Sequence, residues 1–171
     1  RFFARTAELA GDFLIKNVLT ARWGAPEIHL ANAGIAPEEI DYITFDHLHV
    51  QDLRGWIGPG GRFPRARLLV QREELETLAE PAPLQAIWYV ADGLTGIAPE
   101  RIITLNQDVL LGPGVALVRT PGHTRGNHSI VLNTDDGIWV ISENGVSVDA
   151  MNPRASRIAG VARHARTWDV E

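Results

Sequence analysis

The 171-residue chain contains no cysteine. Disulfides, thiolate zinc sites and cysteine nucleophiles are therefore excluded together, and any metal must be held by His, Asp, Glu, Asn or Gln. No apolar run approaches the ~20 residues of a membrane span. The opening stretch RFFARTAELAGDF is amphipathic and lacks the apolar core and cleavage site of a secretory signal. Basic runs are missing too, and the formal net charge of -5 argues against a nucleic-acid partner. There is no G-x-x-x-x-G-K phosphate loop, no internal repeat and no low-complexity segment. The chain does not begin with methionine and ends in TWDVE, so a piece of a longer protein, cut at both ends, is expected. What remains is ordinary: 45% hydrophobic and 22% charged residues, the balance of a soluble globular protein. The length suits one domain spanning 1–171, expected in the cytoplasm.

Residues 1–23 carry Phe2, Phe3, Leu9, Phe13, Leu14, Val18 and Leu19 at helical spacing, with Pro26 as the breaker. Pro37 opens a short helix. Ile40 to Phe45 and Arg67 to Gln71 read as strands, separated by the loop GWIGPGG at 55–61. A helical turn is expected from Arg72 and a helix over Gln85 to Leu94. Arg101 to Leu105 and Val115 to Arg119 read as strands. Ser129 to Asn133 and Gly137 to Ile141 read as a hairpin around Asp135-Asp136-Gly137. A last helix is expected over Ser156 to His164. Alternation of strands and helices followed by a hairpin is an α/β layered pattern.

Chemistry concentrates in TFDHLHVQD, residues 44–52. His47 and His49 stand at i and i+2 at the end of an apolar strand, which places two imidazoles on one face. Two such rings can share one ion, at ~2.0–2.1 Å each for zinc. Asp46 is expected to face away from them in a hydrogen-bonding role, and Asp52 to turn its carboxylate back toward them. His123 follows in TPGHTRGNHS, where Pro121 and Gly122 set a tight turn. His128, five residues on, reads as a core or supporting histidine. Glu143 and Asn144 follow the apolar strand 138–141, again at a strand end. Ser129, Trp88, Tyr89 and Trp139 are assigned to structure or core. Arg54 and Trp56 are candidates for lining a substrate pocket, with packing of Trp56 on Pro59 as the equal alternative.

In this order the segments resemble the metallo-β-lactamase-fold metallohydrolases. PEEIDYITFDHLHVQDLRG is similar to that family's strand leading into its H-x-H-x-D-H motif. FPRARLLVQREEL resembles the next strand and helix, and TPGHTRGNHSIVL the segment with the third metal histidine. GIWVISENG takes the place of the strand ending in the bridging aspartate. The resemblance covers roughly residues 28–145 and leans toward the lactonase and glyoxalase-like members.

The resemblance implies an αββα sandwich, present here in part, and one or two metal ions, usually zinc, with manganese or iron as alternatives. It implies a small-molecule substrate: an ester, lactone or thioester opened by metal-activated water. His47, His49 and His123 match the three histidines of the first metal site. Gln51 falls on the aspartate that helps bind the second metal, and Asp52 on the motif's final histidine. Glu143 and Asn144 straddle the bridging aspartate. The family's last histidine has no counterpart before residue 171, and its opening hairpins are absent. Gln51 cannot accept a proton from water, so Asp52 becomes the candidate catalytic carboxylate, as a ligand or as the group that orients water. Glu143 could supply the carboxylate that Asn144 does not. The competing reading is a catalytically degenerate member kept for binding or scaffolding, and a weaker one is an oxidative metal enzyme. The sequence leaves the oligomeric state open.

Overall fold

The computed structural model describes residues 24–83, 85–142 and 152–169; the helix expected over 1–23 lies outside them. Pro26, expected as a breaker, begins helix α1, Pro26–Asn32, where its fixed φ suits a first turn and its missing N–H costs nothing. Pro37–Glu39 forms a single 3-10 turn closed by the Glu39 carboxylate on the Ala36 N–H at 2.7 Å. Strand β1, Tyr42–Thr44, follows. Within the expected loop 55–61, residues Arg54–Ile57 wind into the short helix α2, and the glycines take over from Gly58. Strand β2, Arg67–Gln71, runs directly into helix α3, Arg72–Ala79. Strand β3 is Ile102–Leu105. Then come β4, Val109–Gly112, which the sequence reading missed, β5, Val115–Arg119, β6, His128–Thr134, and β7, Gly137–Ile141. The last helix, α4, is Val161–Trp168, several residues later than expected.

Two sheets result, in the orders β1-β2-β3 and β4-β5-β6-β7. The second is antiparallel throughout. Arg119 of β5 stands opposite His128 of β6, and Thr134 opposite Gly137 across the turn into β7. The chain resolves into two compact units. Among described residues the first comprises 24–43, 49–68, 83 and 85–101, and the second 44–48, 69–82, 102–142 and 152–169.

In the first unit, Leu53, Ile57, Phe63, Ala66, Leu68 and Tyr89 are buried. The expected helix over Gln85 to Leu94 is a run of turns instead. Tyr89 bridges to His49, the Trp88 carbonyl accepts the Val50 N–H at 2.6 Å, and the Gly93 carbonyl accepts the Leu53 N–H. These pairings take backbone groups that a helix would have used internally, so tertiary structure overrides local propensity. Tyr89 is core as expected, but Trp88 is partly exposed. Trp56 stacks on Phe63 at 5.9 Å, with the Arg62 guanidinium over its ring.

In the second unit, Leu69, Leu105 and Leu117 form the core cluster, with Ile103, Val109 and Ile130 against it. Trp139, expected in a core, is 59% exposed, as are its neighbours along β7. No helix among the described residues is long and apolar enough to cross a membrane.

Candidate metal centre

β1 stops at Thr44, and Phe45 to Leu48 are irregular. The two histidines are therefore not brought together by strand alternation. Local bends do it, and Val50 immediately after them holds φ at 55°, a left-handed conformation unfavourable for a β-branched side chain.

His123 sits on the loop between β5 and β6. That loop is pinched shut at its base. The Thr120 N–H donates to the Asn127 carbonyl at 3.0 Å, and Asn127 Nδ2 donates back to the Thr120 carbonyl at 3.0 Å. Thr120 also meets Ser129, hydroxyl to hydroxyl, at 2.8 Å, a structural use of that serine. Inside the pinch, the Gly122 N–H donates to the Thr124 carbonyl. The imidazole is thus carried by a closed loop of few internal freedoms.

Within the second unit this loop is tied to the segment bearing His47. The His128 N–H donates to the Asp46 carbonyl at 2.9 Å, and Thr44 Oγ1 lies 2.9 Å from both His128 Nε2 and the Leu69 carbonyl. A further tie comes from a residue that the sequence reading passed over. Glu74, in the first turn of α3, is 1% exposed. One of its oxygens accepts the Leu48 N–H at 2.8 Å and the other accepts the Thr124 hydroxyl at 2.5 Å. A carboxylate taken out of water must be hydrogen-bonded, and both oxygens are. A sequence signal existed: Glu74 stands three residues before Thr77 and four before Leu78, on the stripe of α3 turned inward.

His47 and His123 meet edge to face, with ring centroids 4.6 Å apart and planes at 81°. Within the second unit, His47 and His123 each offer a ligand atom, and these atoms lie within 4.8 Å of one another. Asp46, expected to face away, does the opposite: its Oδ1 lies 3.2 Å from His47 Nδ1 and accepts the His47 backbone N–H at 3.1 Å. A donor set of neutral imidazoles fits zinc or iron and suits harder, oxygen-seeking ions less well.

The remaining candidates divide. Asp52 is not in the histidine group. Arg54 grips its carboxylate with two nitrogens at 2.8 and 2.6 Å and reaches Asp92 at 2.8 Å, all at the surface. The hydrogen bonds from Arg54 hold the Asp52 carboxyl below the usual carboxylate range. Arg54 thus pairs with Asp52 and Asp92. Glu143 and Asn144 lie outside the described residues. His128 is buried, and burial pushes its pKa below the ordinary histidine value, partly opposed by the charge of Asp46.

No family model matches the chain. It is 32% identical to an N-acyl homoserine lactonase of Bacillus sp over 106 residues, 62% of this chain and 38% of that relative. An N-acyl homoserine lactone hydrolase, solved with its product N-hexanoyl-L-homoserine at the catalytic metal centre, aligns with TM-score 0.51 and 27% identity. It covers 68% of this chain and 42% of that one. A hydrolase of the β-lactamase superfamily aligns with TM-score 0.56 and 26% identity, covering 71% of this chain and 46% of that one. The chain thus has a metallo-β-lactamase-like α/β fold, in part, and spans less than half the length of the relatives it matches.

Proposed function

We propose that this chain, a relative of the metallo-β-lactamase-superfamily hydrolases, carries the histidine part of a metal centre that opens a lactone or related small ester by water attack. The observation that carries this is the approach of the His47 and His123 rings within the second unit, edge to face at 4.6 Å between centroids. His47, His49 and His123 would hold the ion, preferably zinc or iron by donor type. In such a site the ion supplies Lewis acidity and a water of lowered pKa. The chain's own residues supply the placement: the Asp46 carboxylate holds the His47 backbone N–H, and the pinched loop carries His123. The lactone class is supported by the identity to N-acyl homoserine lactonases.

A second reading, metal binding without turnover, is supported by Gln51 and by the engagement of Asp52 with Arg54, which leaves no spare carboxylate from that segment. Elemental analysis after zinc or iron loading tests the metal reading: His47→Ala and His123→Ala should each abolish retention, and unchanged retention would refute it. A panel of N-acyl homoserine lactones and simple esters then separates the readings. Histidine-dependent hydrolysis supports the first, and metal retention without hydrolysis the second.

A further inference from the structure

Glu74 reaches both histidine-bearing segments of the second unit. It is almost wholly buried, and its hydrogen bonds go to Leu48, next to His47, and to Thr124, next to His123. A third approach comes from Gly126, packed so closely on α3 that an added Cβ would lie 2.2 Å from the Glu74 nitrogen. Two oxygens on one rigid side chain fix a distance better than two separate partners would, since the carboxylate cannot lengthen. Arg119, nearby in sequence terms to the same loop, is instead paired with Glu73, so the neighbouring glutamates of α3 have separate tasks.

We propose that Glu74 is a positioning residue of the metal centre, setting the spacing of the His47 and His123 rings by bridging the backbone beside one and the hydroxyl beside the other. The proposal rests on the metal-binding reading above, though the spacing itself exists without metal. Ligation by imidazoles tolerates only small departures from the bond lengths of ~2.0–2.1 Å, so a bridge that holds both ring-bearing segments selects the productive separation before the ion arrives. Preorganisation of this kind lowers the cost of ordering ligands on binding.

The test uses the whole 171-residue chain with three substitutions. Thr124→Val keeps the shape and removes one arm of the bridge. Glu74→Gln keeps both arms, because an amide can accept from the Leu48 N–H and donate to the Thr124 oxygen. Leu117→Ala destabilises the core without touching the bridge. Zinc affinity is measured against a chromophoric chelator, and the ring resonances of His47 and His123 are followed by NMR in the metal-free protein. Thr124→Val is expected to weaken zinc binding by about tenfold or more, the scale of lost outer partners, and to shift both ring resonances. Glu74→Gln should recover most of that affinity, and Leu117→Ala should leave affinity and resonances alone. Wild-type affinity and unmoved resonances in Thr124→Val would overturn the proposal, as would an equal loss in Leu117→Ala. If the wild type binds no zinc, the proposed function falls, and the metal-free resonances alone then decide for or against Glu74.

Discussion

Replacing Gly126 by alanine makes a sharp test of how the His123 loop is seated. A methyl added there would stand 2.2 Å from the Glu74 nitrogen, 2.4 Å from its Cβ and 2.6 Å from its Cα. These are fixed atoms of a helix, not the end of a flexible side chain, and the closest is more than 1 Å short of ordinary contact. The loop must lift off α3, and the Thr124–Glu74 hydrogen bond goes with it. Overpacking of this type costs about 1–3 kcal/mol, and a lost hydrogen bond to a charged group about 1.5–3 kcal/mol. Against this, glycine to alanine at a tolerant position stabilises by about 0.4–1 kcal/mol through the unfolded chain. The expected net effect is a loss of about 1.5–5.5 kcal/mol, the two costs less the unfolded-state offset. Urea unfolding monitored by tryptophan fluorescence measures it. The sign decides: a Gly126→Ala protein as stable as wild type, or more so, would refute this seating of the loop.

Other expectations follow from single features. Leu117, wholly buried in the second core, should cost about 2–5 kcal/mol on truncation to alanine, read from the shift in urea midpoint at unchanged slope. His128 has its folded pKa below the ordinary value of 6.5. The unfolded chain therefore takes up the proton first as pH falls. Its contribution to stability is complete above about pH 6.5 and is lost progressively below that, down to its folded pKa. Unfolding at pH 7.5 and pH 5, in wild type and His128→Gln, isolates the effect, and an equal pH slope in both would contradict it. Removing the Arg54 guanidinium with Arg54→Met should raise the Asp52 carboxyl pKa toward the ordinary range, followed by carboxyl NMR titration. No change there would mean that the ion pair does not persist in solution.

The parts of the site that were legible in the sequence are those whose residues lie close along the chain. H-x-H and T-P-G-H fit within single local segments, so spacing alone marks them, and strands such as β2 announce themselves by composition. The inward place of Glu74 on α3 was legible, but its task was not, because that lies in two partners 26 and 50 residues away. The hydrogen-bonding role of Asp46 holds, but its direction was misread because alternation was applied two residues beyond the end of β1, where the backbone no longer alternates. Strand β4 hid behind a break in register between Leu110 and Gly112 and the turn that follows. The segment 85–94 has helix-forming composition, yet its carbonyls and amides are spent on His49, Val50 and Leu53.

Strand β7 has a consequence of its own. Ile138 and Val140 point to one side and Trp139 and Ile141 to the other, and every one of them is more than half exposed. Among the described residues it is the last strand of its sheet, with neither proline nor charge between Gly137 and Ile141. Such an edge lacks the gatekeepers that keep strands from adding to one another end over end. In concentrated solution this stretch is where chains should begin to stick. A lysine at Val140 should delay the onset of light scattering, while one placed at exposed Glu76, on a surface already charged, should not.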